Sequence, residues 1–173
     1  MSDGTHIEWA DASVSPIRAR LGDKVGWACE KVSRGCEKCY AEAINKRRGT
    51  GLPYTVGAMQ QVETYLDEAV LRRVLGWRKP RRIFWESMSD LFGHWVTDAM
   101  LVNCYATMIA TPWHTHMILT KRPERRRALF ADQRWRTVVE AKVCEVARSL
   151  PGAVAANIVR WRRSAPLNIW EGT

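Results

Sequence analysis

No apolar run in the chain approaches the roughly eighteen residues that a membrane-spanning helix needs, so no such helix is expected. The opening residues, "MSDGTHIEWADAS", lack the basic-then-apolar pattern of a secretory signal, which makes the cytoplasm the expected compartment. Cysteine is scarce: there are five, an odd number. In a reducing compartment that argues against a disulfide scaffold and towards metal binding or catalysis. Acidic residues are outnumbered, 18 Asp and Glu against 27 Lys and Arg, for a net charge of +9. Such a surface attracts polyanions, of which nucleic acid is the commonest. Internal repeats and low-complexity tracts are missing too, and the 46% hydrophobic and 26% charged fractions are those of an ordinary globular protein. At 173 residues the chain suits one domain with a real core.

Hydrophobic patterning predicts alternating strands and helices. "HIEWADASV" reads as a first strand with Ile7 and Trp9 on one side, followed by a loop through Pro16, Gly22 and Gly26. "YAEAINKRR" favours helix and "GTGLPYTVG" ends it. Asp67 reads as a helix cap, with Leu66 and Leu71 spaced as a hydrophobic staple around it. Val70, Leu71, Val74 and Leu75 form one apolar face, and Gly76 stops that helix. "RRIFWES" reads as a buried strand. Thr97 then caps a helix whose Leu101, Cys104, Tyr105, Met108 and Ile109 share a face. "HMILT" is another strand, and Pro123 is placed to open the next helix. Val139, Val143, Val146 and Leu150 mark one more helix, closed by "PG", and "LNIWEGT" begins a fourth strand. Strands separated by helices of this length predict βαβ crossovers, hence an α/β fold on a parallel sheet of three or four strands.

Three of the five cysteines, Cys29, Cys36 and Cys39, fall within "GWACEKVSRGCEKCYAEAINKRRG" at the spacing C-x6-C-x2-C. Two cysteines three apart can aim their sulfurs at one centre, and a flexible loop can bring in a third. Tetrahedral zinc wants a fourth ligand. His6, His94, His114, His116, Cys104 and Cys144 are candidates, but none belongs to a second close pair. Cys104 and Cys144 read as helix residues of the core, His114 and His116 as residues leading into a strand. Three thiolates alone suit an iron–sulfur cubane that leaves one iron open to a small chelating molecule. Zinc with a borrowed ligand stays open at this point.

The blocks "IEWADASVSPIRAR", "KVGWACEKVSRGCEKCYAEA", "GTGLPYT", "WRKPRRIFWESMSDLF", "HTHMILTKRPER" and "NIWEGT" together resemble a phage and prophage family. That family is labelled by phage gene products thirty-seven and sixty-eight and is similar to radical S-adenosylmethionine enzymes. The resemblance implies a single domain over 1–173, a partial TIM-type (β/α) barrel with the cysteine loop after its first strand. It further implies the N-terminal half of that barrel, incomplete at its C-terminus: a truncated gene, a fragment, or a protein whose barrel a partner subunit completes. Cys29, Cys36 and Cys39 would hold a four-iron, four-sulfur (4Fe-4S) cluster, with S-adenosylmethionine on the open iron. An electron donor protein would reduce the cluster, and reductive cleavage of the sulfonium would yield a radical that abstracts a substrate hydrogen. Ala28, Arg34 and Lys38 depart from the residues common at those places.

Functional groups of parallel barrels gather at the C-terminal ends of strands. Ser87, Ser89 and Asp90, directly after "RRIFWE", are therefore candidate cofactor-binding residues, with Tyr40 beside the last Cys. Lys121 and Arg122, directly after "HMILT", are candidate substrate-binding cations for a carboxylate or phosphate. Fifteen of the 27 basic residues cluster at Lys46 to Arg48, Arg78 to Arg82, Lys121 to Arg127 and Arg160 to Arg163. Trp77, Trp85, Trp135 and Trp161 lie in or near these clusters, a pairing that can stack bases and hold phosphates. The expected function is thus a radical S-adenosylmethionine enzyme that modifies or repairs nucleic acid. The alternatives are a non-catalytic nucleic-acid-binding phage protein holding zinc or a cluster, and an inactive remnant.

Overall fold

A computed structural model describes residue 5, residues 7–148 and residues 168–172. His6, Leu150, the Pro-Gly pair after it, and the basic cluster from Arg160 to Arg163 with Trp161 lie outside the described residues. The chain opens with strands β1 (Ala12–Val14), β2 (Ile17–Leu21) and β3 (Lys24–Gly26). Helix α1 (Tyr40–Arg48), the short α2 (Val56–Met59), β4 (Glu63–Leu66) and α3 (Glu68–Gly76) follow. Next come β5 (Arg82–Trp85), α4 (Asp98–Ala110), β6 (Thr115–Leu119), α5 (Pro123–Ala131), α6 (Gln133–Ala147) and β7 (Ile169–Gly172).

The architecture is mixed α/β. One sheet has four parallel strands in the order β1-β5-β6-β7, and a separate sheet has three antiparallel strands in the order β3-β2-β4. Side chains alternate across a strand. Ala12, Val14, Ile83, Trp85, His116, Ile118 and Ile169 therefore share one face of the parallel sheet, and all are buried. Val14, Ile83, Trp85, Ile118 and Ile169 pack with Leu101, Cys104, Tyr105 and Met108 of α4 and Val139 and Val143 of α6 in one hydrophobic core. Each large side chain of this kind contributes about 1.5–3 kcal/mol by leaving water. From Leu101 to Ala110 only Asn103 of α4 escapes burial, as expected of a helix that is apolar almost all round.

Local chemistry sets the helix ends as read. The Asp67 carboxylate accepts from the Ala69 N–H and the Thr97 hydroxyl from Met100, while Pro123 opens α5. α6 has its own cap, Asp132, which accepts from Arg134. "LNIWEGT" does supply the fourth parallel strand, pairing with β6. No helix among the described residues is long and apolar enough to cross a membrane.

Three expectations need correction. The first strand is only Ala12–Val14; Trp9 lies in a turn, packed edge-on to Phe84. The stretch around Gly22 is a β-hairpin rather than a loop. Gly22 takes φ +56° in its turn, a conformation that glycine adopts without strain. Charge hid these strands: Arg18 stacks over Trp27 and Arg20 over Tyr65, so the outward face reads as polar. Leu66 ends β4 opposite Ile17 before Asp67 caps α3. Cys144 is exposed on α6, whereas Cys104 is buried as expected.

His114 directly precedes β6 and His116 lies at its start, as expected, and both are buried. His116 accepts the Trp85 indole N–H at Nδ1, 2.9 Å, and lies 3.0 Å from the Thr111 hydroxyl at Nε2. That hydroxyl donates to the Thr107 carbonyl, 2.8 Å, so the neutral ring carries its proton on Nε2. Burial, with the neighbouring His114, lowers its pKa from 6.5 to about 3. The unfolded chain takes up this proton first as pH falls. Stability is therefore complete above pH 6.5 and declines progressively towards pH 3. Urea titrations from pH 7 to pH 4 should show the midpoint falling. His116→Leu should lose most of that dependence, yet be about 1–3 kcal/mol less stable at neutral pH because it orphans the Trp85 N–H.

Candidate functional site

The chain leaves β3 at Gly26, where a Cβ would come within 2.3 Å of the Thr50 nitrogen, so no side chain fits. From there to α1 it forms the cysteine loop, with a 3-10 turn over Arg34–Cys36 and Cys39 immediately before Tyr40. Both ends are fastened by Asn45, which is fully buried. Its carbonyl accepts from the Trp27 and Thr50 N–H groups, and its amide donates to the Thr50 hydroxyl and the Leu52 carbonyl. In the exposed part, Lys31 reaches the buried Glu42 of α1 at 2.7 Å, alongside Lys46.

The loop crosses the carboxyl ends of β5 and β6, where the candidate residues meet it. Ser89 donates to the Ala28 carbonyl at 2.7 Å. Arg122 donates to the Glu30 carbonyl at 3.0 Å and to Asp90 Oδ2 at 2.9 Å, and its guanidinium lies over the Trp95 ring. Asp90 also accepts from the Thr120 hydroxyl and from the Phe92 and Lys121 N–H groups. His94 holds Glu30 from the other side at 2.9 Å. Tyr40 donates to the Ser87 carbonyl, and the Ser87 hydroxyl accepts from Ser13 of β1.

These contacts surround a cavity of about 290 Å³ lined by Cys29, Cys36 and Cys39. Every site residue anticipated from the sequence, Tyr40, Ser87, Ser89, Asp90, Lys121 and Arg122, also lines it. Several of them also bond within the protein. Asp90, Ser89 and Arg122 use polar atoms to hold the loops together. Lys121 places its ammonium 3.2 Å from the Cys36 sulfur at the exposed rim. Among the described candidates for a fourth thiol partner, none lines the cavity. His114, His116 and Cys104 belong to the buried side of the sheet, His94 is taken by Glu30, and Cys144 is exposed on α6.

The thiols are not equivalent. Burial pushes Cys29 up to about 12 against the pull of Arg122. Burial acts on Cys36 too, but hydrogen bonds with Val32, Ser33 and Lys121 outweigh it and bring that thiol down to about 7. Among the described residues no three His, Cys, Asp or Glu side chains close on a point that would hold a single metal ion. A zinc ion sits about 2.3 Å from each thiolate, which brings the sulfurs nearly into contact. A cubane carries its ligands on separate irons and spaces them further apart. Three thiols around one cavity, with no fourth among the described residues, are the donor set that a cubane with one open iron would take.

Glu86 is the residue that sequence reading missed. It directly follows β5, takes φ +57° and lines the cavity. A non-glycine side chain in that region costs about 1–2 kcal/mol and is tolerated where surrounding contacts enforce it. Here the Glu86 N–H donates to the Val14 carbonyl and Oε1 accepts from the Ile17 N–H, while Oε2 is buried without a hydrogen-bond partner. Its place beside Ser87 was the available signal.

A family profile described as a protein of unknown function (DUF5131) matches residues 4–173. No curated protein and no solved structure matches the chain.

Two predictions test this geometry. Asp90→Ala strands the Arg122 charge inside the protein and should cost about 3–5 kcal/mol in urea denaturation. Burial raises the Glu86 carboxyl to about 8 from 4.5, so the folded state keeps a proton that the unfolded chain releases. Its contribution is complete below pH 4.5 and is lost as pH rises through 8. Glu86→Gln should therefore melt higher than the parent protein at pH 8, with the difference shrinking towards pH 4.5.

Proposed function

The chain belongs to the DUF5131 family of proteins of unknown function, and we propose that it is an iron–sulfur protein of radical S-adenosylmethionine type that acts on nucleic acid. One observation carries this reading. Three thiols, and among the described residues no fourth, share a cavity with polar loops at the carboxyl ends of adjacent parallel strands. That is where parallel α/β proteins keep their reactive groups. The parallel sheet with its helices on one face is compatible with an incomplete TIM-type barrel, to which the antiparallel sheet is an addition.

On this reading Cys29, Cys36 and Cys39 hold a 4Fe-4S cluster. When bound, the cluster and S-adenosylmethionine supply one-electron reductive cleavage of the sulfonium and hydrogen abstraction from the substrate. The chain's own groups do the rest. Arg122 and Asp90 fix the cysteine loop against the strand ends, and Ser89 holds it at Ala28. Tyr40 pins the Ser87 carbonyl, which keeps the loop after β5 beside α1. The Lys121 ammonium at the rim supplies a cation for a carboxylate or phosphate. Phe84 and Leu119 supply apolar lining at one end of the cavity. The excess of basic residues supports nucleic acid as the polyanion acted upon. An electron donor protein is a further partner of such chemistry.

Anaerobic reconstitution with iron and sulfide tests the reading. The full chain should take up about four irons, and its reduced electron paramagnetic resonance signal should shift when S-adenosylmethionine is added. Cys29→Ala, Cys36→Ala and Cys39→Ala should each lose most of the iron. Colourless protein carrying one zinc, or iron uptake indifferent to all three substitutions, would end it.

A further inference from the structure

We propose that the face of the parallel sheet on which no helix lies among the described residues is the seat of an unpaired base from a single-stranded nucleic acid, next to the cysteine cavity. The proposal rests on the preceding reading for the identity of the polyanion and adds the place and the form in which it binds.

Register puts Ser13, Phe84, Met117 and Trp170 in one row across the four strands, on the face opposite α4 and α6. Leu119, two residues beyond Met117, is on the same side. Trp9 comes over Phe84 edge-on, with ring centroids 4.9 Å apart. Phe84 and Met117 belong to neither hydrophobic cluster of the described residues, Phe84 being buried and Met117 half-buried. Trp170 is 67% exposed, Leu119 49% and Trp9 43%, among the most exposed large apolar side chains described. Parallel sheets are nearly always covered on both faces, and among the described residues no helix covers this one. Phe84 and Leu119 also line the cavity of the three cysteines, making face and cavity one continuous surface.

Size and charge decide among occupants. Four strands spaced by about 4.8 Å and a few residues long give a face on the order of 200 Å². A stable protein interface, a second copy included, needs about 800 Å² on each side. A base or two needs no more than the face offers. Aromatic side chains stack bases without regard to sequence. The strand-end rim carries Lys121 together with Arg126 and Arg127, the latter two lining a second cavity of about 240 Å³ with Pro123, Glu171 and Gly172. Arg126 is paired with Glu171, which leaves Lys121 and Arg127 as the rim cations for backbone phosphates. This arrangement differs from the one expected from the sequence. Trp85 and Trp135 are buried in the core, and Trp77 lies under the Arg81 guanidinium.

The test is binding of a short fluorescent oligodeoxynucleotide of mixed sequence to the full chain, single-stranded and as a blunt duplex. The single strand should bind more tightly and quench tryptophan emission. Trp170→Ala should weaken single-strand binding about tenfold, within the range for loss of one stacked base, and leave the salt dependence unchanged. Trp170→Phe should retain most of the affinity, which separates stacking from any folding defect. Arg127→Ala should reduce the slope of log affinity against log salt by about 0.7, the share of one phosphate contact on a single strand. Equal binding of the duplex, or unaltered binding by Trp170→Ala, would overturn the proposal. So would a dimer in sedimentation that Trp170→Ala dissociates. Failure of the cofactor reading shows separately: protein that takes up no iron but keeps the stacking signature would leave this proposal standing. Cluster uptake with unaltered Trp170→Ala binding would do the reverse.

Discussion

The ion pair between Arg122 and Asp90 is where three remote stretches of chain meet. Asp90 comes from the end of β5, Arg122 from the end of β6, and the second arm of the same guanidinium holds the carbonyl of Glu30 in the cysteine loop. The Asp90 carboxylate accepts four hydrogen bonds in all, a number that satisfies both oxygens. Charge buried at this depth is costly unless paired and bonded, so the arrangement tolerates little variation in geometry. The cavity owes its shape to that intolerance. The residues that surround the thiols are held by one another, and the thiols inherit the placement.

The sheet has two faces with different fates. Towards α4 and α6 it is dry, with a Trp and a His joined by a hydrogen bond at its centre. The other face carries rings and a leucine open to solvent. The core face contributes stability in the ordinary way, by removing apolar surface from water. The other face contributes less, chiefly through Phe84 buried beneath Trp9. Strain is distributed in the same spirit, since Glu86, the described non-glycine residue with positive φ, stands at the strand end beside the cavity and not in the core.

Much of this was legible in the residues. Capping by Asp67 and Thr97, the proline at the start of α5 and the stripe from Leu101 to Ile109 follow from local rules that the tertiary fold leaves intact. So does the position of Ser87 to Asp90 and of Lys121 and Arg122, because strand ends could be located. What stayed hidden were features that depend on distant partners. Arg18 and Arg20 masked a pair of strands because their stems and guanidinium groups cover aromatic rings, a use of arginine that polarity patterns do not register. His114 and His116 gave no sign of burial, since their partners, Arg81, Trp85 and Thr111, include residues some thirty positions away. Asp90 looked available for a ligand when its bonds are all made within the protein.

The Asn45 knot has a consequence for how this loop can vary between relatives. Its four bonds, with the space at Gly26 that admits no side chain, fasten the point where the loop departs and the helix on which it lands. Between Lys31 and Gly35 the backbone is exposed and packs against little. Insertions and deletions in evolution therefore have their latitude in that short arc, while its two anchorages admit almost none.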